Sequence, residues 1–463
     1  MILAFATVTA CARVGFCFGL GTFFVRSADG ITGCTCVGMI EARSTGCVLI
    51  GPVVRGMAVG SFLGMIDNPF PLVWFKNRKW SLLMRRCGIA VIGLGLMGSS
   101  ALYALARRGA DALGFDPLEV GEARGSSHGS CRIYRRFNFE SEAYTELSDR
   151  AFRGWQALET ASGRSILKPS PVLEAGPPGS KLVAASRAAA ARKGAITGPA
   201  TGAEANAAFA AFNLPETWDV VVQASGGILM AEAAMSAFRE GAKGRIIRAA
   251  AKMRPTPEGI RIATSDEDVM AEQVIVATGP WIAGFIPGLG RYLTVTRQAV
   301  GWFLPAQPEA VRYGDFPVFI IEGERGLIYG FPDFEGRGVK AALHDHGRIV
   351  GADDWHPPPG DDELEMVRAT LSTLVPGATG PIADRDVCLY TNTAKADARA
   401  DDGGEFIIDR LPGDRRIIVA SPCSGHGAKF ASAIGALLAD MAVDPAVNAP
   451  DAFRLDRFSG FAA

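Results

Sequence analysis

Residues 87–116 read CGIAVIGLGLMGSSALYALARRGADALGFD. Residues 88–92 make a short apolar strand, and Gly93, Gly95 and Gly98 then supply the spacing G-x-G-x-x-G. A helix with an apolar period (Leu102, Leu105) follows and stops at Gly109, and a second strand, Ala112–Phe115, ends on Asp116. Each part has a physical job. The first glycine allows the tight turn, the second lets backbone approach a pyrophosphate, and the third lets helix and strand pack closely. The helix start offers unpaired N–H groups and the positive end of its dipole to phosphates. Asp116 is placed to accept hydrogen bonds from a ribose. Strand, glycine turn, helix, strand and acid together predict a dinucleotide-binding unit of the doubly wound α/β kind.

Composition bounds the remainder. A chain of 463 residues suggests two or three domains. Its 47 basic and 48 acidic side chains leave no field that points to nucleic acid or an anionic membrane. The nine cysteines are uneven: Cys11, Cys17, Cys34, Cys36 and Cys47 precede the nucleotide motif, Cys87 opens it, and Cys131, Cys388 and Cys423 follow. With no C-x-x-C pair and five scattered histidines, no zinc site is expected. A reducing, cytoplasmic compartment fits this usage.

Residues 1–86 differ in character from the rest of the chain. Apolar runs at 1–12 and 14–24 are broken by Arg13, and another at 47–66 by Arg55. None reaches the roughly 18 uninterrupted apolar residues that span a bilayer. No basic segment precedes the first run, so a secretory signal fits poorly, and neither helix nor strand periodicity is clean. Met84 makes a natural beginning, so the working protein is expected to start there; a flexible extension and a membrane anchor are the alternatives.

The choice between nicotinamide and flavin rests on three later segments. Residues 125–136, GSSHGSCRIYRR, crowd small residues around His128, Arg132 and Arg135, which suits a loop lying along an extended cofactor or, alternatively, a solvated surface loop. A hairpin (259–264, 273–277) leads into VIVATGPW at 274–281, whose glycine allows a second close approach to the nucleotide. Residues 424–442, SGHGAKFASAIGALLADMA, read as a glycine-bracketed histidine opening a long amphipathic helix, or as an ordinary entry turn. Three glycine-rich turns at element ends favour one long cofactor threading the fold.

From about 87 to 458 the chain resembles the flavin-dependent amine oxidases typified by monomeric sarcosine oxidase and N-methyltryptophan oxidase. The matching segments, in order, are GLGLMG with Asp116, GSSHGSCRIYR, QAVGWF (298–303), IYGFP (328–332), VKAALH (339–344), VCLYTNT (387–393), EFIID (405–409) and SGHGAKFAS (424–432). The resemblance implies a mixed α/β fold: a Rossmann-like FAD-binding domain from 87–165, 226–288 and 385–458, and a mixed-sheet substrate domain from 166–225 and 289–384. It implies FAD attached through the sulfur of Cys388, with Gly93, Gly95, Gly98, Asp116, Ser126, His128, Arg132, Gly425, His426, Gly427 and Lys429 at the cofactor. Arg135, Lys429 and Tyr390 would hold the substrate, with Arg135 and Lys429 clamping its carboxylate. Lys340, Arg132, His344 and Tyr329 would serve the chemistry, with Lys340 the cation that speeds reaction with oxygen.

The implied reaction is oxidation of a secondary amino acid, N-methyl or cyclic, to an imine, with O2 leaving as hydrogen peroxide and formaldehyde released from N-methyl substrates. A monomer with no nucleic-acid or membrane partner is expected. Two other readings stand beside it: a dehydrogenase using another electron acceptor, and a nucleotide-binding relative without catalysis. The chain departs from the family at Ser127, Ser130 and Cys131, where His, Asp and Thr are usual, which leaves Cys131 as a rival thiol. Ser170-Pro171 replaces a Thr-Gly pair, and the loop at 396–405 is longer than usual, a change expected to reshape the entrance.

Overall fold

A computed structural model describes residues 84–140, 142–195, 198–344, 346–354, 357–393, 404–458 and 461, together with the backbone of four strands before residue 54. The chain divides into two units, Met1–Ser81 and Leu82–Ala463. In the first, Ala4–Ala6, Phe16–Ser27, Gly30–Arg43 and Gly46–Val53 form one antiparallel sheet in chain order. The sequence showed no clean strand period there, yet its runs are rich in the β-branched and aromatic residues that suit strands (Thr22, Phe23, Phe24, Val25). Among the described residues no helix is long and apolar enough to cross a membrane.

Two large sheets build the second unit. The first runs Ile246–Ile247, Ala112–Phe115, Arg85–Ile92, Asp268–Val276, Gly259–Ala263, Lys252–Thr256. Its first four strands are parallel. Asp414–Ser421 adds in parallel along the far half of Asp268–Val276, and Ile407–Leu411 pairs antiparallel with it. Parallel strands covered on both faces need apolar residues throughout. Ile89 and Val91 face helices Leu96–Arg107 and Ala431–Val443, while Ala90 and Ile92 pack on the opposite side with Ile282 and Leu289.

The second sheet runs Asp219–Gln223, Val172–Gly176, Val318–Gly323, Gly326–Gly330, Val339–Leu343, Leu293–Phe303, with Ile382–Thr393 pairing along Leu293–Phe303. Here the structure differs from the expected division, which gave everything from 385 onward to the nucleotide domain. Residues 382–393 lie in the substrate sheet because their whole length pairs with Leu293–Phe303, a partner about ninety positions earlier that local periodicity cannot show. A separate three-stranded sheet joins Cys131–Tyr134, Gly227–Met230 and Leu167–Pro169. Thus part of the expected GSSHGSCRIYRR loop is a strand, paired through Arg132 with Leu229.

The C-terminal helix also corrects the sequence reading. It begins at Ala431, after a 3-10 turn at Gly427–Phe430, and most of its residues are buried. It is apolar nearly all round because it packs between helices Leu96–Arg107 and Glu142–Ser162.

Candidate active site

The glycine turn forms the floor of a cavity of about 410 Å³. Gly93 has a φ of +85°, and a Cβ on Gly98 would lie 1.8 Å from the Gly93 carbonyl oxygen, so neither position admits a side chain. Asp116 stands at the cavity edge, accepting from the backbone N–H of Leu94 (2.5 Å) and Leu118 (2.7 Å), with Arg239 3.6 Å away. Burial raises the Asp116 carboxyl above the usual range. A carboxylate has roughly four acceptor sites, so two remain for hydroxyls. The hydroxyls of Ser126 and Thr278 line the same cavity, are buried and have no hydrogen-bond partner. Orphaned donors of this kind call for a polar ligand. A glycine cradle, an acid and two unpartnered hydroxyls fit the pyrophosphate and ribose of FAD.

A second cavity, of about 1110 Å³, opens under the substrate sheet. The two share Arg132, Cys388, Tyr390 and Gly425 in their walls, so the groove leads into the chamber at the thiol expected to hold the flavin. Cys388 lies within strand Ile382–Thr393, opposite Gln298. Arg132 reaches within 3.9 Å of its sulfur while donating to the Ser126 and His128 carbonyls. Burial pushes this thiol up, with Arg132 and Lys340 opposing.

Lys340 is buried on Val339–Leu343, with Nζ 3.6 Å from Cys131 Sγ and 3.4 Å from the Cys131 carbonyl. The rings of Trp302 (5.1 Å) and Phe331 (5.5 Å) flank it. A charge in so apolar a setting is weakly screened. Tyr329 and Tyr390 meet through their hydroxyls at 3.4 Å, and the Tyr390 ring lies 5.5 Å from that of His344. Burial pushes Tyr329 up to about 12 and Tyr390 well above its usual range. Gly425 (φ +72°) is required where His344 and Tyr390 close in: a Cβ would lie 2.6 Å from the His344 ring. Gly427 is required by the preceding turn, since a Cβ would lie 1.8 Å from the Pro422 carbonyl oxygen.

The structure does not bring every expected cofactor residue to the groove. His128 is buried with Nε2 on the Val387 carbonyl (2.6 Å) and 3.4 Å from Asp386, so it braces the strand of Cys388. His426 and Lys429 line the substrate chamber, not the nucleotide cavity. His426 stacks on Phe406 at 4.8 Å, and burial pulls it down to about 3, leaving a neutral imidazole.

Arg135 and Lys429, the pair expected to clamp a carboxylate, already have acidic partners in the chain. Arg135 donates to Glu174 (2.9 Å) and Glu140 (2.7 Å), and Lys429 lies 3.5 Å from Glu140 while donating to the His426 carbonyl (3.0 Å). Burial pulls Lys429 down to about 7, with Glu140 opposing. For Glu140 burial acts upward, but Arg135 and Lys429 hold it well below the usual carboxylate range. Sequence reasoning missed both glutamates. Glu174 left a signal, as a charge in the apolar strand VLEAG; Glu140 left none.

The described residues contain no cluster suited to a metal ion. The family model described as FAD dependent oxidoreductase matches residues 88–441. The chain is 31% identical over 366 residues to monomeric sarcosine oxidase of Bacillus sp. (strain B-0618), covering 77% of this chain and 92% of that protein. It is 29% identical over 380 residues to N-methyl-L-tryptophan oxidase of Yersinia pestis (strain Pestoides F), covering 80% and 99%. Among solved structures, NikD, an amino acid oxidase of nikkomycin biosynthesis, aligns with a TM-score of 0.67 at 19% identity, over 81% of this chain and 97% of that one. Glycine oxidase from Geobacillus kaustophilus aligns with a TM-score of 0.66 at 16% identity, over 81% and 100%. These two structural likenesses bear on the fold alone.

Proposed function

Because the chain belongs to the FAD-dependent oxidoreductase family, we propose that it oxidises a secondary amino acid, N-methyl or cyclic, at the carbon beside its nitrogen. The supporting observation is the meeting of the two cavities at Arg132, Cys388, Tyr390 and Gly425, which puts a nucleotide groove and a charged chamber in contact. Bound FAD supplies a two-electron acceptor for the C–H bond next to nitrogen and returns the pair to O2, which leaves as hydrogen peroxide. The oxidised substrate is an imine, which water hydrolyses; an N-methyl group departs as formaldehyde.

This chain's residues would do the rest. Arg135 and Lys429 receive the carboxyl end and fix the reacting carbon. Tyr329 and Tyr390 keep their protons at neutral pH, so they act as hydrogen-bond donors and not as bases. The amine must therefore arrive with its lone pair free. The buried Lys340, 3.6 Å from Cys131 Sγ, would supply the cation that favours reaction of the reduced cofactor with oxygen. Cys388 holds the cofactor covalently, with Arg132 beside the sulfur. A monomer in the reducing cytoplasm completes the reading, supported by the unpaired Cys87, Cys131, Cys388 and Cys423. The test is a panel of sarcosine, N-methyltryptophan, proline and pipecolate, each as the free acid and as the amide, scored by peroxide release. Peroxide from one or more is expected, and none from any would overturn the proposal.

A further inference from the structure

Glu174 occupies the middle of Val172–Gly176, opposite Val221 on one side and Ile320 on the other, with no exposed surface. Both neighbouring strands pin its backbone, so it cannot swing away from Arg135, whose Nη1 it holds at 2.9 Å. Arg135 is itself buried and lies over the Phe139 ring at 4.4 Å. Its other terminal nitrogen is on Glu140. Burial raises the Glu174 carboxyl, but the Arg135 guanidinium at 2.9 Å opposes it. With that pair ionised and Lys429 protonated, below about pH 7, the cluster holds two cations, Arg135 and Lys429, and two carboxylates, Glu140 and Glu174, before any substrate arrives. A free carboxylate entering beside Glu140 would leave one uncompensated negative charge in a buried site, which is costly.

The unpaired atoms point the same way. Glu140 lines the chamber, and its Oε2 is buried and has no hydrogen-bond partner. Ionised, it can only accept. Lys429 Nζ, on the same wall, can only donate while protonated, below about pH 7. The site therefore presents one acceptor and one donor. A carboxamide matches both, its N–H giving to Glu140 and its carbonyl accepting from Lys429, whereas a carboxylate offers Glu140 nothing.

We propose that Glu174, by neutralising Arg135 from behind, makes this chamber a receptor for the carboxamide, rather than the free carboxylate, of a secondary-amine substrate. The proposal rests on the amine-oxidising reading of the chamber. It names the substrate class as N-alkylated amino acids whose carboxyl is amidated, such as those at a peptide's amino terminus. The chamber's volume of about 1110 Å³ has room for such an extension.

The test uses the flavin-loaded protein and two analogues that cannot be oxidised at nitrogen, cyclopentanecarboxamide and cyclopentanecarboxylate, each titrated against the visible flavin spectrum. The native protein should bind the carboxamide at least as tightly as the carboxylate. Glu174→Gln should tighten carboxylate binding tenfold or more and leave the carboxamide within about threefold. A native preference of tenfold or more for the carboxylate overturns the proposal, as does an unchanged ratio in Glu174→Gln. Should that variant not fold, Glu140→Gln replaces it, with carboxamide binding expected to weaken tenfold and an unchanged ratio again overturning. Peroxide release from a secondary amine separates the two levels. With peroxide seen, a failed ratio sinks only the carboxamide inference; with neither peroxide nor spectral change, the amine-oxidising reading falls too.

Discussion

Replacing Gly98 by alanine strikes the nucleotide turn with a change of one methyl group. Gly98 lies in the first turn of helix Leu96–Arg107, and the new Cβ would stand 1.8 Å from the Gly93 carbonyl oxygen. That oxygen is not the end of a flexible side chain. Gly93 is fixed by its φ of +85°, by its N–H on the Phe115 carbonyl at 2.9 Å, and by the Ala277 carbonyl oxygen, which a Cβ on Gly93 would meet at 2.7 Å. Helix and turn must therefore part by more than about 1 Å, a degree of overpacking that costs typically 1–3 kcal/mol. Because the displaced backbone is the surface that would cradle the pyrophosphate, the loss should fall on cofactor affinity, at tenfold per 1.4 kcal/mol or roughly 10- to 100-fold. The assay is reconstitution of apoprotein with FAD in a Cys388→Ser background, which removes the expected covalent link and leaves binding reversible. Gly284→Ala is the control, since a Cβ there meets nothing within 4 Å. Undiminished FAD affinity and an unchanged melting temperature in Gly98→Ala would refute the reasoning.

Three further substitutions probe the chamber. Lys340→Met should leave anaerobic reduction by substrate within a few-fold but slow reoxidation by O2 by roughly 10³, from up to ~4 kcal/mol for a unit charge ~4 Å away at an effective dielectric of ~20; stopped-flow absorbance reads both steps. Cys388→Ser should release its flavin on acid precipitation while the native protein's precipitate stays yellow, and a native protein that frees its flavin removes the tether. Lys429, brought down to about 7 by burial, is protonated below that pH and neutral above it. Cyclopentanecarboxylate binding to the native protein should accordingly weaken about tenfold per pH unit above pH 7, since each bound anion must bring a proton with it. The dependence should vanish in Lys429→Met, and a flat native profile would show that Lys429 does not face the anion.

What the sequence disclosed and what it hid divide along physical lines. The turn at Gly93–Gly98 was readable because its geometry is set by residues within a few positions of one another. The observed helix Leu96–Arg107 and strand Ala112–Phe115 follow that local pattern. The start of the last helix was misread because Gly427 looks like a helix entry, whereas its lack of a Cβ serves the close approach of Pro422. The placement of Ile382–Thr393 was hidden because strand partnership is decided by a register set far away in the chain. Tyr329, Lys340, His344, Cys388, Tyr390 and Lys429 were named through resemblance, and all six line the larger cavity. Resemblance was blind to Glu174, whose meaning comes from Arg135, 39 positions away and just past the end of strand Cys131–Tyr134. Residues 394–403, most of the long loop expected to reshape the entrance, lie outside the described residues, as do the side chains before residue 84.

The most direct test of the account is anaerobic mixing of the flavin-loaded protein with secondary amino acids and their amides, followed by admission of oxygen. The account predicts that at least one secondary amine bleaches the flavin, and that oxygen restores the colour with one hydrogen peroxide formed per flavin. A flavin that stays oxidised with every secondary amine, yet bleaches with a reduced nicotinamide, would contradict it.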